Sequence, residues 1–488
     1  MVNFIPTQIS IWVLILLAGD LVVFSVSVIL GLWLQPVVGG ASCFFWEYDK
    51  FLLLMLGATY ITVLYIADLY DQYLDFRARE NFSRVILSAL AGTFLVALLF
   101  YYLWGHFLGR KFIEWQGLIF VWLLVLWRYS FSALALPRRL RRRVLIVGAG
   151  RAGRAILEVI RQRPNSGLEV AGFVDDDPRK IGSTIGEIPV LGDTRRLPEI
   201  VAANHIGLIV VAITNERPHK LVTALTSLSF TGCQVTEMPG LYEFLTGKIP
   251  IDHISELWFF IGTSGKKPVF YRHIKRLIDL ALAIAGLAIS WPLFILFALA
   301  IKLDSPGPVF FRQNRLGRGG KPFRIIKFRT MIKDAGNGDP TWTLDNDPRI
   351  TRVGRFLRKF RLDELPQLIN ILKGEMSLIG PRAEWDVFAV ASQKEVPILI
   401  PGRRVSDPPG TMVTCGFREK LPFYSTRLVV RPGITGWAQV MFPHAGSSDE
   451  DLKEKLQYDL YYIKNMGLFL DIAIILKTIR IVLFGRGK

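Results

Sequence analysis

Two adjacent carboxylates, Asp363 and Glu364, stand between a run of cations and an apolar stretch. Upstream lie Lys327 and Arg329 of a Lys-Phe-Arg group, then Arg349, Arg352, Arg355, Arg358, Lys359 and Arg361; downstream comes Leu365-Pro366-Gln367-Leu368. Taken alone, an acidic pair at a helix start does no more than complement the macrodipole. So many cations beside two acids suit a different task. They fit a site that holds several phosphates, with a divalent cation between acids and phosphates. A carboxylate can act as a covalent nucleophile toward phosphorus. Phosphoryl transfer asks mainly for positioning and charge neutralisation, and both kinds of group are present.

The elements that must position these groups are largely apolar. Of 488 residues, 51% are hydrophobic, and the mean hydropathy is +0.35, above that of a soluble enzyme. Runs at 9–34, 51–67, 85–103 and 113–136 each approach the ~20 residues a bilayer requires, with Trp12, Trp33, Trp104 and Trp115 near their ends. The first run is not closed by a small-residue cleavage site and reads as a retained span. Arg138, Arg139, Arg141, Arg142 and Arg143 follow the fourth run and mark that end as cytoplasmic; Arg77, Arg79 and Arg84 agree. Asp20, inside the first span, needs a partner, and Arg128 is the candidate. The net charge of +18 points to anionic phosphates of lipid or substrate, since no nucleic-acid module pattern is present. Cys43, Cys233 and Cys415 form neither a disulfide framework nor a metal spacing.

After the arginine cluster the period changes. A buried-strand signal at 144–147 leads into Gly148-Ala-Gly150-Arg-Ala-Gly153, a helical stretch and a second strand at 169–174 that ends on Asp175. Strand, glycine turn, helix, strand and acid together predict a Rossmann-like α/β module. Asp175 stands where a ribose-binding acid belongs. Whether a nucleotide or dinucleotide occupies Gly148, Gly150, Gly153 and Asp175 is left open. A Tyr-x-x-x-Lys pair is absent between Val144 and Pro250, which argues against dehydratase or epimerase chemistry. A fifth apolar run, 277–301, has basic residues on both sides and Pro292 near its middle. It reads as a re-entrant helix over 275–301, broken at Ser290 and Pro292, with Ser290 serving a freed carbonyl; the alternative is a true fifth span, which would place everything after it outside. The last apolar stretch, 468–484, carries Asp471, Lys477 and Arg480 and reads as an in-plane interfacial helix.

The C-terminal half resembles the bacterial sugar transferases, the monotopic polyprenyl-phosphate phosphoglycosyl transferases. The matching segments are KRLIDLALA from Lys275, IKLDSPGPVFFRQNRLG from Ile301, KPFRIIKFRTM from Lys321, RLDELPQLINILKGEMSLIGPR from Arg361, RPGITGWAQV from Arg431 and EKLQYDLYYIKN from Glu454. The four spans and the glycine-rich module resemble the large, multi-span branch of that family. The resemblance implies that Asp363 attacks the β-phosphate of a UDP-sugar, releases UMP and carries the sugar phosphate until polyprenyl (undecaprenyl) phosphate takes it. It implies Mg²⁺ held by Glu364, phosphate binding by Lys327, Arg329, Arg358 and Arg361, and uridine binding at Pro381 and Arg382. It places Lys275 and Arg276 near the lipid phosphate. It further implies a bacterial inner (cytoplasmic) membrane enzyme, catalytic on the cytoplasmic face, that starts surface polysaccharide synthesis. Departures are Ser290-Trp291-Pro292 for the family's Ser-Pro, and Pro381-Arg382-Ala383 for its Pro-Arg-Pro. A loop around 401–417 looks inserted.

The expected architecture is therefore a membrane protein in three parts. A transmembrane four-helix bundle (1–137) precedes a Rossmann-like α/β cytoplasmic module (138–262). An α-rich transferase domain (263–488) with the re-entrant helix completes it. Expected partners are a UDP-sugar, polyprenyl phosphate and membrane lipids, and no nucleic acid. A homo-oligomer and polysaccharide-assembly partners are left open. A membrane-anchored dehydratase or epimerase, and a non-enzymatic scaffold with a vestigial site, are the competing readings. The first lacks its Tyr and Lys, and the second should have lost the acid pair.

Overall fold

The computed structural model describes residues 11–34, 49–70, 76, 79–104, 110–135, 142–163, 166–213, 219–264, 269–332, 347–383, 422–443 and 448–483. The loop expected around 401–417, and with it Cys43 and Cys415, lies outside them. The chain divides into two compact units, Met1–Leu241 and Tyr242–Lys488.

The first unit opens with four apolar helices, α1 (Ile11–Leu34), α2 (Asp49–Ile66), α3 (Arg79–Trp104) and α4 (Arg110–Ala135). Helices α1, α3 and α4 are long and apolar enough to cross a membrane, and α2 contributes a shorter apolar stretch, Leu53–Ile66. Their seam is built from Leu16, Leu56, Leu64, Val96 and Leu124, all buried. Several polar side chains inside the seam pair with one another, which lowers the cost of burying them in a low-dielectric interior. Tyr60 donates its hydroxyl hydrogen to Gln116 Oε1 at 3.2 Å, and Gln116 Nε2 donates to Ser27 Oγ at 3.0 Å. Asp20 does meet Arg128, at 2.5 Å, with both side chains 1% exposed. The same guanidinium donates to the Leu69 carbonyl at 2.7 Å and covers the rings of Tyr70 and Phe76.

The unit continues as a doubly wound sheet. Its strands are β1 (Arg142–Val147), β2 (Leu168–Val174), β3 (Thr184–Ile185), β4 (Ile188–Gly192), β5 (Leu208–Val211) and β6 (Gln234–Glu237), in the order β3-β4-β2-β1-β5-β6. All pairings are parallel except the β3–β4 hairpin. The helices α5 (Arg151–Arg161), α6 (Leu197–Ala203), α7 (His219–Phe230) and α8 (Met238–Thr246) accompany these strands. The aliphatic run 144–147 is wholly buried, as a central parallel strand must be. Chain order reverses between β1 and β5, which is where α/β sheets open a ligand crevice.

The second unit contains α9 (Glu256–Ser264) and α10 (Val269–Asp304), then the antiparallel hairpin β7 (Phe310–Leu316) with β8 (Pro322–Phe328). Next come α11 (Arg352–Lys359), α12 (Gln367–Lys373) and the parallel pair β9 (Ser377–Ile379) with β10 (Gly433–Thr435). Helices Trp437–Met441, Asp449–Asn465 and Leu468–Leu483 close the unit. It begins about twenty residues before the boundary expected at 262–263, for a packing reason. Ile249, Ile251 and Phe259 share a core with Leu456 and Leu460, and Lys248 pairs with Glu454 at 2.6 Å.

The break expected at Ser290 and Pro292 is not present: helix α10 is unbroken over 36 residues with Pro292 inside it, because the one backbone bond a proline removes can be lost without ending a long helix. The Ser290 hydroxyl donates to the Gly286 carbonyl at 2.6 Å. That carbonyl is two residues before the one Pro292 frees, so Ser290 back-bonds its own turn, an arrangement that favours bending. Asp471 does not mark a solvent face of the last helix, as its charge suggested. It is buried and accepts from Tyr271 at 2.9 Å, Lys275 at 2.8 Å and Tyr462 at 2.9 Å.

Candidate active site

Strand periodicity brings Lys327 to the acids. Phe323 and Ile325 of β8 pack into a core with Leu368, Ile371, Met376 and Ala383. Alternate residues of a strand share a face, so Lys327 emerges on that side, and its Nζ donates to Glu364 Oε1 at 2.8 Å. Phe328, on the opposite face, packs against Phe294, Phe297 and Phe310. A two-stranded hairpin leaves a free edge. Asn370 of α12 covers it, accepting from the Ile326 N–H at 3.1 Å and donating to the Arg324 carbonyl at 2.8 Å.

The acids owe their place to the end of α11. That helix starts on Thr351, whose hydroxyl oxygen accepts from the Gly354 N–H at 3.0 Å, a standard N-cap. A Cβ on Gly354 would collide with the Thr330 carbonyl, so glycine lets α11 lie against Thr330, where Arg358 Nε donates to Thr330 Oγ1 at 2.9 Å. Arg361 then adopts φ +55°, a left-handed conformation that costs a residue with a side chain about 1–3 kcal/mol. It leads into the single 3₁₀ turn Leu362–Glu364 just before α12.

Arg382 arrives from the other side. Asp279 of α10 accepts from the Leu378 N–H at 3.1 Å and the Ser377 hydroxyl at 2.8 Å, which fixes β9. From β9 the chain passes through Gly380 and Pro381 to Arg382, whose Nη2 lies 3.4 Å from Glu364 Oε1. Lys327, Glu364 and Arg382 line a solvent-open cleft of about 260 Å³ together with Arg315, Gln367 and Gln439. A second cleft of about 330 Å³ shares Arg382 and is walled by Pro381, Tyr424, Arg427 and Pro432.

The two carboxylates are equally buried but oppositely perturbed. Burial pushes Asp363 above the usual carboxylate range, Lys327 pulls against that, and the neighbouring Glu364 charge adds to the rise. Burial acts on Glu364 too, but Lys327, Arg382 and Arg361 outweigh it and hold Glu364 below the usual range. The geometry explains the division. Glu364 Oε1 receives two cations directly, whereas Asp363 makes no hydrogen bond or ion pair among the described residues. Arg358 and Arg361 are themselves lowered by burial and raised by these acids. A divalent cation fits this donor set in the manner of Mg²⁺, which takes one or two carboxylates and completes its shell with water and substrate phosphates. Asp363 and the second oxygen of Glu364 are the available donors. A cluster of three or more metal-binding side chains is not present among the described residues.

The structure thus brings together Asp363, Glu364, Lys327, Arg358, Arg361 and Arg382, with Pro381 alongside. Three other expected phosphate ligands are engaged elsewhere. Arg329 is buried and caps the C-terminus of α10, donating to the Ser305 carbonyl at 2.7 Å and the Pro306 carbonyl at 2.8 Å. Arg276 donates to the Ile371 carbonyl at 2.9 Å near the end of α12. Lys275 is held by Asp471. Each is a cation at a helix terminus or on a buried acid, a demand that sequence spacing does not display. Arg315, Gln367, Tyr424, Arg427 and Gln439 were not singled out from sequence. Several lie in the quoted segments, but an amide or aromatic inside an apolar run carries no periodic signal.

In the other unit, Gly148 takes φ +111°, and a Cβ on Gly153 would collide with the Gly148 carbonyl. The backbone therefore demands both glycines, while the space beside Gly150 is open. Asp175 already accepts from the Ala149 N–H at 2.7 Å, the Asp177 N–H at 3.0 Å and Lys180 Nζ at 3.0 Å. Burial raises its pKa, and these donors more than offset that and hold it low. The glycine turn fits a phosphate-bearing ligand, but the acid expected to meet a ribose is occupied in tying down that turn.

Residues 270–485 match the bacterial sugar transferase family, and residues 65–239 match a CoA-binding domain family. Among relatives, a UDP-glucose:undecaprenyl-phosphate glucose-1-phosphate transferase of Escherichia coli (strain K12) is 30% identical over 92% of this chain and 91% of its own length. An undecaprenyl-phosphate galactose phosphotransferase of Salmonella typhimurium is 30% identical over 84% of this chain and 82% of its own. A UDP-N-acetylgalactosamine-undecaprenyl-phosphate N-acetylgalactosaminephosphotransferase of Aeromonas hydrophila is 42% identical over 52% of this chain and 53% of its own. The similarity runs through both compact units, and the family match falls on the one that carries the acid pair; this chain belongs to the bacterial sugar transferases.

Proposed function

We propose that this membrane protein is an undecaprenyl-phosphate sugar phosphotransferase that moves a sugar 1-phosphate from a UDP-sugar to the lipid phosphate through a covalent Asp363 intermediate. The observation that carries the reading is the contrast at the acid pair. Glu364 is tied down by Lys327 and Arg382, and Asp363 beside it is buried without a partner among the described residues. A carboxylate stripped of water and of hydrogen bonds is an activated nucleophile.

In the first step Asp363 attacks the β-phosphorus of the UDP-sugar. The bond from that phosphorus to the oxygen bridging the two phosphates breaks, and UMP leaves with the electron pair. In the second step an oxygen of the lipid phosphate attacks the same phosphorus, the bond to Asp363 breaks, and the carboxylate is regenerated. Lys327, Arg358, Arg361 and Arg382 neutralise the phosphate oxygens through both steps. Mg²⁺ held by Glu364 and Asp363 would add charge neutralisation when bound. Pro381 and Arg382 meet the nucleotide where the two clefts join. Relatives that carry different sugars leave this chain's own sugar to be measured. Within the same reading, α10 dips into the bilayer from the cytoplasmic side with both ends kept there, bending near Ser290 and Pro292, the helix Leu468–Leu483 lies in the interface, and the acid pair faces the cytoplasm of a bacterial inner membrane. A nucleotide-sugar in water and a lipid phosphate at the bilayer surface can then meet at one site.

The test is UMP release in nanodiscs with Mg²⁺, undecaprenyl phosphate and a panel of UDP-sugars. Wild type should release UMP from one donor, and Asp363→Ala should abolish release. Full release by a folded Asp363→Ala protein would sink the covalent mechanism.

A further inference from the structure

The cleft of Lys327 and Glu364 is also lined by an amide whose oxygen has nothing to bind among the described residues. Gln439 lies on the short helix Trp437–Met441 just after β10 and is 7% exposed. Its Nε2 donates to the Ile434 carbonyl at 3.0 Å. That bond fixes which end of the amide is oxygen, because a flipped amide would set oxygen against oxygen. Oε1 is buried and has no hydrogen-bond partner among the described residues. Leaving such an acceptor unsatisfied costs about 1–3 kcal/mol, and an orphan of this kind in a native structure calls for an absent partner. The cations nearby do not supply one. Lys327 is bound to Glu364, and Arg315 donates to the Ala383 carbonyl and Gln313.

We infer that Gln439 Oε1 accepts a hydrogen bond from a hydroxyl or amide N–H on the donor sugar and so takes part in choosing that sugar. The inference rests on the transferase reading above. The missing partner is a hydrogen-bond donor or a cation, which excludes the phosphates, since they carry only acceptors once ionised; a divalent cation already has the two carboxylates of Asp363 and Glu364, which leaves Gln439 Oε1 for a donor. Phosphates belong at Lys327 and Arg382 in the same cleft. The uracil base also carries an N–H, but the neighbouring cleft beyond Arg382, with Tyr424 between Pro381 and Pro432, offers the flat apolar walls that suit a base. With phosphates at the shared cations and the base beyond Arg382, the sugar is the part of the nucleotide left beside Gln439.

The experiment uses the full chain in nanodiscs, as wild type and Gln439→Met, which keeps length and removes the amide, both the Oε1 acceptor and the Nε2 donor to Ile434. Calorimetry gives Kd for UMP and for the preferred UDP-sugar; UMP release gives kcat/KM for that sugar and for analogues deoxygenated at single ring positions. Expected for Gln439→Met is a loss of about tenfold or more in affinity and kcat/KM for the preferred UDP-sugar, with UMP affinity unchanged and a melting temperature lowered only by the lost bond to the Ile434 carbonyl. One deoxy analogue should lose the same factor with wild type and nothing further with the variant. Equal weakening of UMP and UDP-sugar would put the donor on the nucleotide and overturn the assignment. Unchanged affinity in a folded variant, or losses from variant and analogue that multiply, would overturn it as well. Absence of UMP release by wild type from every donor would strike the transferase reading, and the two Kd values would still decide the role of Gln439. If Gln439→Met does not fold, the wild-type analogue series decides: undiminished affinity for every analogue, N-acetyl analogues included, overturns it.

Discussion

Asp363 and Glu364 share a turn and a degree of burial, yet Asp363 keeps its proton to a higher pH than an ordinary carboxylate and Glu364 gives it up at a lower one. The difference has a sign that experiment can check. Asp363 titrates above the usual carboxylate range because burial disfavours its charge, so the nucleophilic form accumulates only as pH rises through that raised value. UMP release should climb with pH and level off, and on the acid side it should fall before an ordinary carboxylate would protonate. Stability should run the other way. The folded protein binds this proton more tightly than the unfolded chain does. The associated stability is complete below the ordinary carboxylate pKa of about 3.9 and is lost as pH rises through the raised value. Asp363→Asn removes the ionisation. At pH 8 its melting temperature in detergent should exceed that of wild type, by about 1.4 kcal/mol of stability for each tenfold weakening of the acid. The gap should close toward pH 4. An Asn variant less stable than wild type at pH 8 would contradict the desolvation argument. The identity of the acid pair and the basic character of its surroundings were legible in sequence. Which cations meet it was not. Lys327 and Arg329 are two residues apart, yet only Lys327 reaches Glu364, because Arg329 follows the strand end and is drawn to the carbonyls of Ser305 and Pro306 just past the end of α10.

At the scale of elements, α10 and the bundle each carry a polar feature inside an apolar helix. Pro292 in α10 removes a backbone donor and disfavours a straight helix by about 3 kcal/mol. Single cysteines made by Arg272→Cys and Lys302→Cys, with the native cysteines replaced by serine, should both label from the cytoplasmic side only. Pro292→Ala should add outer-face labelling at position 302 by favouring a straight crossing. Outer-face labelling at 302 with proline in place would make α10 a span and withdraw the acid pair from cytoplasmic UDP-sugars. In the bundle, Asp20 and Arg128 are each 1% exposed. Asp20→Leu strands the guanidinium and should cost about 3–5 kcal/mol, while the double change Asp20→Leu with Arg128→Leu should recover most of that. Thermal unfolding in nanodiscs measures both. Recovery failing in the double variant would mean that the bond from Arg128 to the Leu69 carbonyl, and not the ion pair, organises that end of the bundle.

For the whole molecule, the compact unit Tyr242–Lys488 contains every group assigned to the reaction and nearly coincides with the family match over 270–485. Expressed alone in nanodiscs, residues 242–488 should fold and release UMP from the same donor as the full chain. A truncation starting at 263 should be much less stable, because it discards Ile249, Ile251 and Phe259 from a shared core. Equal stability of the two pieces would contradict the earlier boundary. By itself the sequence determined the class of each part. Apolar runs near bilayer length, a glycine turn between strand and acid, and an acid pair after a basic run are local patterns, written in consecutive residues and in hydropathy. It also placed glycine at 148 and 153, though only the fold shows that the backbone there needs it. Tertiary structure alone decided which charges are free and which are committed. Lys275 binds Asp471, almost 200 residues away in the chain, Arg329 caps a helix end, and Gln439 Oε1 is left unpaired among the described residues in the cleft that Glu364 lines. The reason is physical. A side chain's charge state and availability depend on burial and on partners distant in sequence, and neither is fixed until the chain has folded around it.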